Sequence, residues 1–280
     1  MIDKILNFIK HAGQNLIDIR KEKGLYIDFK EKSPVGMVTE ADISISFLFK
    51  DFIANNFSDL NYFIVDEENI SNYQNNIFEK IENAEYVFVL DPLDGTLQYA
   101  QDIPLYGISI GVFKNKKPYM GAIYIPKQND LVYSNENKEA FWVRNAFCSN
   151  EHKIKLQKNY KSTSMLIVDI QQHFELDKSK NTKNYLFVDY LASVFSNVLI
   201  STGRARAGLF KDWLWDVGGS WPIYDAIGYK IYDFKNNKNL TKLNREDFTP
   251  TLKFKNAHII GPQKEISYIK NIIIKDKELA

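Results

Sequence analysis

Residues 86–96 read Tyr86-Val87-Phe88-Val89-Leu90-Asp91-Pro92-Leu93-Asp94-Gly95-Thr96. Five apolar residues in a row predict a buried strand, and Asp91 and Asp94, three residues apart, close it. Carboxylates at the end of a buried strand are costly unless something positive compensates them. Each then accepts hydrogen bonds or binds a cation. Hard oxygen ligands suit Mg²⁺, which prefers carboxylates, waters and substrate phosphates over nitrogen or sulfur. Gly95 and Thr96 open a segment whose backbone N–H groups can point at an anion, as helix N-termini do. Far downstream, Trp215-Asp216-Val217-Gly218-Gly219 adds a further acid.

Around this run the hydrophobic pattern predicts helices and strands in alternation. Ile2, Ile5, Leu6, Ile9, Ala12, Leu16 and Ile19 recur at helical spacing, with Gly24 placed to end the helix. Ser33-Pro34-Val35-Gly36 reads as a loop. Thr39 is placed to cap a second helix from Glu40 to about Asn56, with Ile43, Phe47, Leu48, Phe52 and Ile53 facing inward. Phe63-Ile64-Val65 is a short strand that ends at Asp66-Glu67-Glu68. Residues 105–113 and 118–125 alternate with period two and predict a hairpin, followed by short strands at 131–133 and 141–143. The polar stretches 150–162 and 177–184 read as loops. Residues 165–168 predict a strand, 190–200 and 220–228 helices, and 258–262 a last strand and its stop. Hairpins mixed with strand-to-helix turns predict a layered α+β architecture.

The chain has 280 residues, enough for one large domain or for two packed halves, 1–150 and 151–280. Its 36 basic against 35 acidic residues give a net charge of +1, with no general pull toward nucleic acid or anionic membrane. Any affinity for phosphate must be local. The N-terminus reads as neither a signal peptide nor a spanning helix, and no window reaches the ~20 apolar residues a membrane helix needs. With Cys148 alone, neither an internal disulfide nor a cysteine-based zinc site is open to it. A cytoplasmic location is the expectation. The four histidines, His11, His152, His173 and His258, have no metal spacing.

Four acidic groups fall at predicted strand ends or helix starts: Asp42, Glu67 with Glu68, Asp91 with Asp94, and Asp216. Acids to hold cations, with free amides and a hydroxyl beside them, describe a site that binds phosphate through metal ions. Two ions about 3.5–4 Å apart can polarise a phosphoryl group, lower the pKa of a water and stabilise a leaving oxygen. At this point the residues resemble a known family. Val38-Thr39-Glu40-Ala41-Asp42, Glu67-Glu68, Asp-Pro-Leu-Asp-Gly-Thr at 91–96 and Trp215-Asp216 are similar to four signatures of the inositol monophosphatase family, in order. Lys32-Ser33-Pro34, Pro104 and Ser109-Ile110-Gly111-Val112 match as well.

The resemblance implies a layered α-β-α-β-α sandwich, as in fructose-1,6-bisphosphatases, a homodimer, and a Mg²⁺-dependent phosphomonoesterase using a metal-activated water. Glu67, Asp91 and the Leu93 carbonyl would hold one Mg²⁺; Asp91, Asp94 and Asp216 would hold a second, with Asp91 bridging. A third, weaker ion would lean on Glu67, and Li⁺ would inhibit by replacing magnesium. Asp42 and Thr96 would orient and deprotonate the water, and the Gly95 and Thr96 amides would bind phosphate oxygens. Glu68 is read either as a solvated acid or as a partner of the ligands.

The segments that select the alcohol depart from the family pattern at Leu97-Gln98-Tyr99, Leu191-Ala192-Ser193-Val194, Phe210-Lys211 and Asp225-Ala226-Ile227-Gly228. Asp94, Ser193, Arg204 and Lys211 are the candidate substrate contacts, and Trp213 is a stacking candidate. The expected substrate is a small phosphorylated polyol or sugar. A fructose-1,6-bisphosphatase-like or 3'(2'),5'-bisphosphate nucleotidase activity is the alternative that the Arg204, Arg206 and Lys211 cluster would favour. A regulatory binding protein on the same fold is the alternative of another class.

Overall fold

The computed structural model describes residues 1–23, 28–29, 37–38, 40–73, 76–157, 164–168, 174–176 and 185–276. The expectations at Gly24, Lys32, residues 33–36, Thr39, His173 and 177–184 lie outside the described residues.

Helices α1 (Ile2–Lys23) and α2 (Glu40–Phe57) are separated by a small antiparallel ladder of β1 (Asp28–Phe29) and β2 (Met37–Val38). A seven-stranded sheet follows, in spatial order β3 (Tyr62–Asp66), β4 (Tyr86–Asp94), β5 (Gly107–Lys114), β6 (Lys117–Ile125), β7 (Asp130–Ser134), β8 (Ala140–Arg144) and β9 (His152–Lys155). Only the β3–β4 pair is parallel. The second sheet runs β12 (Leu186–Val188), β10 (Met165–Val168), β13 (Ala207–Phe210), β16 (His258–Gly261), β14 (Lys230–Asp233) and β15 (Lys238–Leu240). Strands β11 (Phe174–Leu176) and β17 (Ile273–Asp276) pair apart from it. The remaining helices are α3 (Ile77–Asn83), α4 (Thr96–Ala100), α5 (Ser193–Ser201), α6 (Leu214–Gly218), α7 (Ser220–Ile227) and α8 (Gln263–Ile272).

Residues 86–90 are apolar at every position because β4 is covered on both faces, and side chains alternate across a strand. Tyr86, Phe88 and Leu90 join the core under α1 and α2, with Ile5, Ile9, Ile45 and Phe49. Val87 and Val89 face the opposite way, into a core shared with Val194, Val217, Trp221 and Ile223 of α5–α7 and with Ile231 and Ile260 of the second sheet. On the far side of that sheet, Leu209 and Ile259 meet Ile266 and Ile269 of α8. The layers are therefore α, β, α, β and α, the expected sandwich. Among the described residues no helix is long and apolar enough to cross a membrane.

Several elements differ from the sequence expectation. The polar tract 150–162 contributes β9, an edge strand that needs ladder hydrogen bonds rather than apolar side chains; Lys153 lies 4.2 Å from the Phe141 ring centroid. Residues 258–261 are not the last element, since α8 and β17 follow. Helix α2 is rotated: Ile43, Phe47 and Leu48 are exposed, whereas Asp42, Ile45, Ser46, Phe49 and Ile53 are buried. Both faces of α2 are apolar in sequence, so hydrophobicity alone does not fix its rotation.

His258 of β16 is fully buried against the Phe254 ring, centroids 4.3 Å apart. Burial pushes its pKa down to about 3, outweighing the nearby Asp233 carboxylate. Below a pH of about 6.5 the unfolded chain takes a proton on this imidazole that the folded chain refuses. Stability is therefore lost on acidification, by about 2 kcal/mol at pH 5 from this group alone. Urea unfolding at pH 7.5 and 5.0 checks this: His258→Phe should lose about that much less than the wild type. Equal losses in the two proteins would contradict it.

Candidate active site

In a regular strand, residues three apart point to opposite faces, so Asp91 and Asp94 could not share a cation. The β4–β5 ladder solves this with a bulge. Asp91 pairs with Ser109 and Asp94 with Gly107, so β4 carries one extra residue between them. Pro92 falls inside the bulge, where its missing N–H costs no ladder bond. The Leu93 N–H then donates to Asp91 Oδ1 at 3.2 Å, and the Thr96 hydroxyl donates to the Leu93 carbonyl at 3.2 Å. Gly95 turns the chain into α4 at φ +83°, against Leu105, Tyr106 and Ala192.

The third acid arrives from α6, which glycines allow onto the sheet. A Cβ on Gly111 of β5 would sit 2.0 Å from the Gly218 carbonyl oxygen, and one on Gly121 of β6 2.1 Å from that of Gly219. These two sheet glycines are cross-strand partners, so a bare patch of backbone receives the α6–α7 junction. Ser109 Oγ accepts the Gly219 N–H at 3.1 Å. Because Ser109 is also the partner of Asp91, this contact brings Asp216 alongside the bulge. Carboxylate oxygens of Asp91, Asp94 and Asp216 all lie within 4.8 Å of one another. Asp94 accepts the Val194 N–H at 2.5 Å, at the start of α5, and Asp216 accepts the Trp213 N–H at 2.7 Å. Asn197 donates to the Asp216 carbonyl at 2.9 Å and is itself held by Tyr224.

The acids resist being charged together. Burial, then the charges of Glu67, Asp94, Asp216 and Asp42, hold the Asp91 carboxyl well above the usual carboxylate range. Burial lifts Asp94 to about 7 although the Val194 amide pulls it down. Asp216 is raised by burial, by Asp212 and by Asp94. Desolvated, mutually repelling carboxylates with hard oxygen donors are a donor set that fits Mg²⁺. The half-buried Glu67 and the buried Asp42 lie close enough to act on Asp91.

The model of the inositol monophosphatase family matches residues 2–267. The chain belongs to the inositol monophosphatase family. It is by that membership a phosphoric monoester hydrolase. A fructose-1,6-bisphosphatase/inositol-1-monophosphatase of Thermotoga maritima is 26% identical over 200 residues, 68% of this chain and 74% of that protein. The histidinol-phosphatase of Chlorobaculum parvum is 22% identical over 245 residues, 84% of this chain and 86% of its own length. Among solved structures, an IMPase/NADP phosphatase complexed with Mg²⁺ and phosphate superposes with a TM-score of 0.72 at 18% identity, covering 96% of this chain and 94% of that one. A staphylococcal IMPase complexed with products gives 0.72 at 17%, covering 96% and 93%. At these identities the structural likeness speaks for the inositol monophosphatase fold.

The remaining candidate residues are distributed around the acids or away from them. Ser193 is half-buried in the first turn of α5, and its backbone amide acts on Asp94. Arg204 pairs with Asp130 at 3.0 Å and lies 4.6 Å from the Trp142 ring centroid; Arg206 pairs with Glu265 at 2.6 Å. Lys211 is half-buried just before Asp212. Trp213 stacks on Trp215, and Lys253 sits 4.4 Å from its centroid. The helix predicted at 190–200 begins only at Ser193, because Leu191 is left-handed at φ +53° and Ala192 is extended. Gln98 of α4 donates to the Tyr190 and Leu191 carbonyls at 3.0 and 3.1 Å and so holds this kink. Its long polar side chain between Leu97 and Tyr99 is the sequence signal for that clamp.

Proposed function

We propose that this family member is a Mg²⁺-dependent phosphomonoesterase acting on a small phosphorylated alcohol. The observation that carries the reading is the convergence of Asp91, Asp94 and Asp216 within 4.8 Å, in a setting that penalises their charge. Glu67, Asp91 and the Leu93 carbonyl would hold one Mg²⁺ and Asp91, Asp94 and Asp216 another. When bound, the ions neutralise these acids, make a water acidic and stabilise the charge on the phosphoryl group. The chain's own groups do the rest. Thr96 donates a hydrogen bond from its hydroxyl to the Leu93 carbonyl, so its oxygen lone pairs can accept a hydrogen bond from one O–H of the attacking water, while Asp42 would act as the base that takes the proton of the other O–H. The amides of Gly95 and Thr96, at the start of α4, lack intrahelical partners and receive phosphate oxygens.

The alcohol end is less polar than a polyol would require. Leu97, Leu191 and Trp213 are exposed on the three segments that border the acids. Arg204 and Arg206 already bind Asp130 and Glu265, which supports a monophosphate over a bisphosphate. The name of the Thermotoga maritima relative favours fructose-1,6-bisphosphate as a second reading. Homodimer formation, a cytoplasmic location and inhibition by Li⁺ complete the proposal by family resemblance.

The test is phosphate release from inositol-1-phosphate, fructose-1,6-bisphosphate, adenosine 3',5'-bisphosphate and an aryl phosphate, with Mg²⁺ and with EDTA. We expect release that depends on Mg²⁺, with the aryl ester cleaved at least as well as the polyol ester. Release undiminished by EDTA, or none from any ester, would contradict the proposal.

A further inference from the structure

Asp66 is the last residue of β3 and is 2% exposed. Its carboxylate gathers donors from two elements. From the turn that follows, the Glu68 N–H reaches Oδ1 at 3.2 Å and Asn69 Nδ2 reaches Oδ2 at 2.7 Å. From α2, the Ser46 hydroxyl donates to Oδ2 and Lys50 Nζ lies 3.3 Å away. Asn69 also donates to Ser46 Oγ at 3.1 Å, so the three side chains close a ring. The turn begins at Glu67, and Ser46 lies one helical turn beyond Asp42, on the same face.

We propose that Asp66 is a positioning residue that fixes two parts of the site together: the turn presenting Glu67 and the rotation of α2 that presents Asp42. The rotation needs such a device. With Ile43, Phe47 and Leu48 on one face of α2 and Ile45, Phe49 and Ile53 on another, hydrophobic burial alone would stabilise either face to a similar extent. The charge-assisted hydrogen bond from Ser46 and the ion pair with Lys50 break that near-tie in favour of the face carrying Asp42. The turn needs it as well, because a ligand held by a satisfied buried carboxylate keeps its orientation before metal arrives.

This inference rests on the phosphatase reading above, and its test separates the two. The probes are Mn²⁺ binding to the metal-free protein by electron paramagnetic resonance, Mg²⁺ activation of phosphate release, and urea unfolding without metal. Asp66→Asn should weaken Mn²⁺ binding about 10–100-fold and lower kcat at saturating Mg²⁺. Two charge-neutral variants divide the effects. Asn69→Ala should weaken Mn²⁺ binding by roughly 3-fold or more, and Ser46→Ala should lower kcat with Mn²⁺ affinity within about 2-fold of wild type. Wild-type Mn²⁺ affinity in Asp66→Asn, or in Asn69→Ala should Asp66→Asn not fold, overturns the proposal. So does loss of kcat and affinity in parallel in Ser46→Ala, which is what general loosening would produce. A wild type that binds Mn²⁺ but releases no phosphate defeats the phosphatase reading alone, and the Mn²⁺ comparison still decides the role of Asp66.

Discussion

Asp91→Asn is expected to lower Mg²⁺-dependent phosphate release by on the order of 10³-fold, about 4 kcal/mol in the barrier. The same variant should unfold at higher urea than the metal-free wild type, by about 1–2 kcal/mol. Both effects have one cause. Asp91 is buried and is surrounded by Glu67, Asp94, Asp216 and Asp42, each of which opposes its charge. Without a cation that repulsion is a standing cost, and the amide removes it while leaving nothing to bridge two ions. The wild type should also gain stability as Mg²⁺ is added, by mass action, and the variant should not. A variant less stable than the metal-free wild type, or one stabilised by Mg²⁺ to the same extent, would show that Asp91 serves the fold and not a metal.

Gly111→Ala is expected to lower the melting temperature by roughly 6–12 °C, corresponding to about 3 kcal/mol. The added methyl would lie 2.0 Å from the Gly218 carbonyl oxygen. That neighbour is backbone, so no rotamer change relieves the clash and the α6–α7 junction must lift from the sheet. Asp216 rides on α6, and its carboxylate would leave the cluster with it. Thermal unfolding and Mg²⁺ activation measured on the same preparation should therefore both suffer. A melting temperature within about 2 °C of wild type, with normal Mg²⁺ activation, would mean that the glycine contact does not seat Asp216.

The acidic run was legible in the sequence because its chemistry is local: an apolar strand ending in two carboxylates, then Gly95 and Thr96. Helix α1 and the β5–β6 hairpin were legible for a similar reason, since a single periodicity describes each of them. What escaped depends on partners distant in the chain. Nothing in Asp91-Pro92-Leu93-Asp94 announces the bulge; it is defined only by the register against Ser109 and Gly107. Asp66 reads as one more acid beside Glu67 and Glu68 until Ser46 and Lys50 are seen to meet it. The inward face of α2 is not legible for the same reason, because two apolar faces compete and a polar contact decides. Arg204 and Arg206 looked like a basic cluster near Trp215-Asp216, yet Asp130 and Glu265, 74 and 59 residues away in sequence, hold them.

We propose that the carboxylates gathered by the β4 bulge and by α6 hold the ions that act on a phosphate ester. Crystals grown with Mn²⁺ and inorganic phosphate test it through an anomalous difference map. Peaks are expected between Asp91, Asp94 and Asp216 and between Asp91 and Glu67, with phosphate density against the Gly95 and Thr96 amides. Mn²⁺ bound elsewhere, with these carboxylates bare in a preparation that hydrolyses phosphate esters, would contradict it.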